Sequence, residues 1–347
     1  MKALVLDEGG AVSLQQVPNP EVTDAGDAVV RVTQTSICGS DLHLIHGALP
    51  SKPPYVLGHE YVGVVTEVGA GVHGLAVGDR VVGPAAPWCG ACAMCRNGQI
   101  QLCQRGGVFG SGPTFGGLGG AMAEFLRVPH ADTVLSKIPD GVSDEQALLL
   151  GDVVSTGMTG VRHALAGPGG VLVVIGCGPV GLSAVHTARL FAPAEIIAVD
   201  RVPGRLRVAE QLGATRTIDA SSEDVAAVVG ELTGGRGADG VVEAVGLPVT
   251  IAQAVDLAGV GGRIAVVGIT AGPVELPMPQ MLFKNLTLWT GLGDLGHLDM
   301  LLDQVARGVL DPSPMITDRV GLDDLVGAIE RFSDPANGVV KYAVSVG

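Results

Sequence analysis

Four thiols crowd into fifteen residues of this chain, in the pattern Cys89-x-x-Cys92-x-x-Cys95-x7-Cys103. Thiolates at that spacing can close around one tetrahedral zinc ion, which staples a lobe and leaves no position open for chemistry. Three further ligand types lie outside the cluster: Cys38, His59 and Asp152. A Cys/His/carboxylate set can hold zinc with one position free for water or substrate. Nothing in their spacing brings the three together. Residue types alone favour a buried thiol, a hydrogen-bonded core histidine and a helix-capping aspartate.

A third constellation is Gly176-x-Gly178-x-x-Gly181, which follows an apolar run and opens an amphipathic helical pattern. Gly176 permits the tight turn, Gly178 lets the backbone approach a pyrophosphate, and Gly181 lets helix and strand pack closely. The helix start, with Pro179 and Val180 in its first turn, offers unpaired N–H groups to phosphates. Asp200 closes the next apolar run, roughly 20 residues on, as a dinucleotide fingerprint requires. A carboxylate there accepts from the adenosine ribose hydroxyls and repels a 2′-phosphate, so NAD is expected over NADP. Arg201 and Arg205 lie close enough in sequence to soften that repulsion. Cys177, inside the loop, reads as a small buried filler.

The elements that must position these residues change character along the chain. Residues 1 to about 150 carry short strand patterns, such as 28–33 and 61–68, punctuated by Gly and Pro, which suggests a barrel or sandwich. The 106–120 stretch is too glycine-rich for regular structure and is either an active-site wall or a surface connection. From Val171, apolar runs at 171–175, 196–199, 240–242 and 264–267 alternate with helical patterns at 182–190 and 206–212. That rhythm marks βαβ units and a parallel sheet, with 286–290 as the last of an expected six strands, five of which these runs locate. The tail has a helix-like 300–305 and a strand-like 339–344, and is short for a separate domain. The expected division is 1–154, 155–293 and 294–347, the last rejoining the first.

A chain of 347 residues exceeds the usual single core, and 47% hydrophobic residues are ample for burial. A net charge of -14 argues against nucleic acid or an anionic membrane as partner. Six cysteines are too few for a disulfide scaffold, and metal-binding thiolates need reducing conditions, so a cytoplasmic setting is expected. The first residues meet acids too early for a signal peptide. The longest apolar stretch, 171–185, is interrupted by glycine and proline and is shorter than a membrane span.

The Cys38 segment, Gly58-His59-Glu60-x-x-Gly63-x5-Gly69, the cysteine lobe and the glycine fingerprint occur in one order. In that order the chain resembles the zinc-dependent medium-chain alcohol dehydrogenase family over essentially its whole length. The resemblance implies an α/β protein: a GroES-like, β-rich catalytic domain built from both chain ends, around a Rossmann domain with a doubly wound parallel sheet. It implies two zinc ions per chain and NAD. Cys38, His59 and Asp152 would be the catalytic zinc ligands, and Cys89, Cys92, Cys95 and Cys103 the structural ones. Glu60 matches a carboxylate that can replace bound water as a transient ligand. Ser40 matches the hydroxyl that touches the substrate alcohol, His43 the histidine that passes its proton outward, and Asp41 a residue that orients a ligand. Many relatives carry Cys or Glu where this chain has Asp152. The compact chain fits the family's tetramers better than its longer dimers.

Weaker expectations concern the carboxyl ends of the late strands, where ligands sit in such sheets. Val245, Gly268 and Ile269 are placed against the nicotinamide half, with Glu243 and Ala244 beside them, although plain strand-end turns explain them nearly as well. Trp88, Phe109 and Leu292 are candidate pocket linings. The leading reading is hydride transfer between NAD and a small primary or secondary alcohol or its carbonyl. A polyol or amino-alcohol dehydrogenase shares the same machinery. A zinc-free quinone reductase leaves Cys38 and His59 without purpose, and a non-catalytic zinc and nucleotide-binding protein would hold one zinc instead of two.

Overall fold

The computed structural model describes residues 1–50, 52–165 and 167–347. It divides into two compact units, one of Met1–Asp152, Asp294–Val309 and Ile316–Gly347, the other of Val153–Gly293 and Leu310–Met315.

The first unit is antiparallel and β-rich. Its main sheet pairs Ala28–Thr35 with Tyr61–Val68, which pairs with Arg80–Val82 and then Ser136–Lys137. On the other side of Ala28–Thr35 lies the chain's last strand, Lys341–Ser345, itself parallel to Ile316–Gly321. The β-branched residues of Ala28–Thr35 and Tyr61–Val68 explain the strand choice, and Val30, Val32, Tyr61 and Val65 enter one apolar core. That core also takes Tyr342 and Val344 from the terminal strand. Asp294–Val309 and Ile316–Gly347 group with this unit, whereas Leu310–Met315 group with the other. The 106–120 stretch contains a short 3₁₀ turn, Pro113–Phe115, and Phe109 in its course is fully buried, edge-on to Tyr61. Phe109 is thus part of the core and does not line an open pocket.

The second unit holds a six-stranded parallel sheet in the spatial order Arg216–Asp219, Glu195–Asp200, Val171–Ile175, Ala238–Glu243, Ala258–Val266, Thr287–Thr290. This is the doubly wound order in which the direction of strand addition reverses beside the first strand, Val171–Ile175. Every residue of that strand is buried, as expected of a parallel strand covered on both faces. The edge strand Arg216–Asp219 is polar, Arg-Thr-Ile-Asp, and only its Ile218 is buried; no apolar run announces it. No helix among the described residues is long and apolar enough to cross a membrane.

Candidate metal centre and dinucleotide loop

In the first unit, three elements deliver the Cys/His/Asp set. Cys38 caps the helix Gly39–Ile45, and Asp41 in its first turn accepts from the Cys38 backbone N–H at 2.8 Å. His59 precedes the strand Tyr61–Val68, and the segment before it is pinned by Ala121 N–H to Gly58 O and Met122 N–H to Leu57 O. Asp152 follows the short turn Leu149–Gly151. The ligand atoms of Cys38, His59 and Asp152 all lie within 4.8 Å of one another. Cys38 Sγ is 3.6 Å and His59 Nε2 3.4 Å from Asp152 Oδ2. Tetrahedral zinc with bonds of about 2.3 Å to sulfur and 2.0 Å to nitrogen and oxygen needs edges of about 3.5 and 3.3 Å. The residues fit the ion.

Electrostatics agree. Burial works to lower the His59 imidazole, but the Asp41 charge and hydrogen bonds to Asp152 and Asp41 push it well above its usual range. Burial works to raise Asp152, and its hydrogen bond and charge interaction with His59 hold it below the ordinary carboxylate range. Surroundings that draw positive charge to the imidazole suit a cation. Asp41 Oδ1 stands 3.4 Å from His59 Nδ1, so one carboxylate faces the second ring nitrogen and holds the Cys38 backbone. Such partners fix ligand orientation.

The four cysteines of the lobe likewise gather, with all Sγ atoms within 4.8 Å, and all six cysteines of the chain are free thiols. Cys92 Sγ lies 3.5 Å from Cys95 Sγ and 3.9 Å from Cys103 Sγ, against about 3.8 Å for a tetrahedron of thiolates around zinc. Backbone N–H groups of Cys95 and Gln104 bring the Cys92 thiol down to about 6, whereas desolvation pushes Cys95 up to about 12. A metal ion reconciles such neighbours by deprotonating all four.

In the second unit, Gly176 has φ +90° and Gly178 is the N-cap of the helix Pro179–Ala188, with Pro179 at its start. A Cβ on Gly181 would stand 1.7 Å from the Gly176 carbonyl oxygen, so no other residue fits. Val180 is half-buried in the first turn. Asp200 Oδ2 accepts from the Cys177 N–H at 2.6 Å, and its Oδ1 accepts from Arg201 and Val202 N–H at 2.7 and 2.8 Å.

Residues 24–140 match the alcohol dehydrogenase GroES-like domain, and residues 179–295 match the zinc-binding dehydrogenase family. The chain is 38% identical over 298 residues to the zinc-type alcohol dehydrogenase B of Aspergillus flavus, covering 84% of this chain and 69% of that one. It is 33% identical to an L-threonine 3-dehydrogenase of Bacillus subtilis, covering 98% and 97%. Alcohol dehydrogenase TADH from Thermus sp. ATN1 superposes with a TM-score of 0.94 at 40% identity over 100% of both chains. The chain belongs to the zinc-containing medium-chain alcohol dehydrogenase family. It is an oxidoreductase of the zinc alcohol dehydrogenase type, with a structural four-cysteine site and a catalytic Cys/His/Asp site.

Around the metal centre of this dehydrogenase, Ser40 Oγ lies 3.4 Å from His59 Nε2. His43 is half-buried in the last turn of the same short helix. Glu60 is fully buried, and burial raises its carboxyl against the opposing charge of Lys341. Its Oε2 pairs with the Lys341 ammonium, which also donates to Ile37 O at 2.9 Å. Lys341 escapes a reading of the sequence, because the terminal segment carries no motif and lies 281 residues from Glu60. In the second unit, Val245 and Ile269 are exposed on loops after their strands, and Gly268 follows Val267 beside the Gly246 backbone. Arg201 is exposed and Arg205 half-buried, with a buried Nε that has no partner among the described residues. Trp88 packs against the β-rich core, and Leu292 is 57% exposed.

Proposed function

We propose that this dehydrogenase transfers hydride between NAD and a small primary or secondary alcohol or the corresponding carbonyl. The convergence of Cys38, His59 and Asp152 at tetrahedral spacing, with the Ser40 hydroxyl 3.4 Å from the ligating His59 nitrogen, carries the reading. Zinc held by these donors would supply Lewis acidity toward a substrate oxygen in its fourth position. Ser40 would take the alcohol proton at Oγ, and His43 would relay it to solvent. Asp41 keeps His59 turned with Nε2 inward. Glu60, the adjacent buried carboxylate, would be the residue able to replace bound water as a transient zinc ligand. The nicotinamide itself is the hydride acceptor. Gly176, Gly178, Pro179, Val180 and Gly181 hold the pyrophosphate, and the negative charge of Asp200, flanked by Arg201 and Arg205, favours NAD over its phosphorylated form. Val245, Gly268 and Ile269 flank the nicotinamide half. The reading takes residues 1–154 and 294–347 as the catalytic domain and 155–293 as the cofactor domain, and the protein as a cytoplasmic homo-oligomer, a tetramer over a dimer.

Kinship with a threonine dehydrogenase favours one second reading, a polyol or amino-alcohol substrate at the same zinc. The deciding experiment follows reduction of NAD and NADP at the nicotinamide absorbance band with primary, secondary, polyhydroxy and amino alcohols. A rate confined to simple alcohols with NAD supports the first reading, and a rate confined to polar alcohols the second. Silence across the panel with two zinc ions bound sinks both.

A further inference from the structure

A single buried carboxylate holds the turn after the strand Ala238–Glu243. Glu243 is fully buried, and its Oε1 accepts from the backbone N–H groups of Val245 and Gly246, both at 2.9 Å, and from the Thr250 hydroxyl at 2.7 Å. Its Oε2 has no hydrogen-bond partner among the described residues. Removing a carboxylate from water is costly. Here the result is one turn fixed at three points.

That turn is wedged between two others. The Val245 Cγ2 atom lies 2.5 Å from where a Cβ on Gly176 would stand, and the Ala244 Cβ 3.5 Å from one on Gly181. On its other flank, a Cβ on Gly246 would stand 2.2 Å from the Ile269 carbonyl oxygen, and one on Gly268 2.2 Å from the Gly246 nitrogen. The three loops leave the carboxyl ends of adjacent strands, since Glu243 pairs with Ile175 on one side and Val266 on the other. In a doubly wound sheet that is the edge where a dinucleotide lies.

We propose that Glu243 is a positioning residue of the dinucleotide site: its carboxylate fixes the 244–247 turn, which spaces the glycine loop and the 268–269 loop for the cofactor. The assignment rests on the reading that this dehydrogenase binds a nicotinamide dinucleotide. Glu243 acts through the backbone of Val245 and Gly246. A loosened turn populates the binding geometry for only part of the time, and apparent affinity falls by that fraction.

The test titrates NAD into the zinc-loaded parent, Glu243→Ala, Glu243→Gln and Thr250→Val by calorimetry, with zinc content and steady-state kinetics alongside. Glu243→Ala should weaken NAD binding about tenfold, as expected from losing roughly one net hydrogen bond to a charged group. Its KM for NAD should rise more than kcat falls, and zinc should stay at the parent value. Glu243→Gln, whose amide oxygen can still accept from the Val245 and Gly246 N–H groups, should bind within about threefold of the parent. Alanine and parent binding alike would overturn the assignment, as would glutamine failing as badly as alanine. Should the alanine variant not fold, Thr250→Val carries the test: about threefold weaker binding is expected, and unchanged binding overturns the proposal. A parent that binds neither NAD nor NADP overturns the functional reading and this assignment with it. A parent that binds while alanine matches it removes this assignment alone.

Discussion

Lys341 and Glu60 form an ion pair in which neither side chain reaches solvent. The same ammonium donates to Ile37 O, so one side chain ties the residue before Cys38 to the residue after His59. Breaking a buried pair leaves an uncompensated charge and costs about 3–5 kcal/mol. Lys341→Met should therefore lower the unfolding midpoint sharply in thermal or denaturant melts near pH 7, and Lys341→Arg should lower it less. The Glu60 charge holds Lys341 above the ordinary lysine range against burial. Its contribution is thus present at pH 7 and fades as pH climbs through strongly alkaline values. A methionine variant as stable as the parent at pH 7 would show that the pair contributes nothing.

The two metal sites should separate under substitution. Cys38→Ser removes a donor from the open site, so zinc should fall from two ions to one per chain and turnover should drop by at least about a hundredfold, with the melt little changed. Cys103→Ser opens the closed thiolate site, whose binding energy is folding energy for the 89–103 lobe. That variant should lose the other zinc, melt earlier and become sensitive to proteolysis within the lobe. Elemental analysis of both variants decides the matter. Full zinc and full activity in Cys38→Ser would remove the catalytic assignment.

Much of this site is legible without any coordinates. Thiols three apart must lie near each other whatever the fold, and a glycine triplet between strand and helix carries its own geometry. The gathering of Cys38, His59 and Asp152 is not readable from spacing, because it depends on how distant strands pair; a family resemblance supplies it. Lys341 stays hidden for the same reason, and nothing in its local segment distinguishes it from a surface lysine. The strand Arg216–Asp219 gives no signal because an edge strand exposes one side and tolerates polar residues. Phe109 defeats the expectation of a pocket lining because a glycine-rich segment suggests the surface, whereas its chain runs through the core beneath Tyr61.

His186 looks ordinary in the sequence and proves to be a buried, neutral joint. Its Nε2 accepts from the Asp311 N–H at 2.8 Å, and its Nδ1 stands 3.2 Å from Leu212 O, which requires the proton on Nδ1. Desolvation lowers its pKa to about 4. The unfolded chain takes up a proton near 6.5, so stability is full above that pH and is lost as pH falls from there toward 4. The loss attributable to this residue is on the order of 3 kcal/mol. Melting curves from pH 7 to pH 4 should fall more steeply for the parent than for His186→Gln, which cannot titrate. Parallel slopes would mean that other groups set the acid limb.

Asp200 has two duties that substitutions can pull apart. Its carboxylate supplies the negative charge expected to discriminate against a 2′-phosphate, and it also accepts from the N–H groups of Cys177, Arg201 and Val202. Asp200→Gly removes both the charge and the anchor on the glycine loop. It should lower kcat/KM for NAD and NADP alike through the loosened loop, while raising the NADP-to-NAD ratio. Asp200→Asn removes the charge and keeps one acceptor oxygen, so its ratio should rise by about tenfold, worth about 1.4 kcal/mol, with less loss toward NAD. Measuring kcat/KM with both cofactors for the three proteins separates charge from anchoring. If neither variant moved the ratio, the ribose would be read by another group, and the three backbone hydrogen bonds would be the whole work of Asp200.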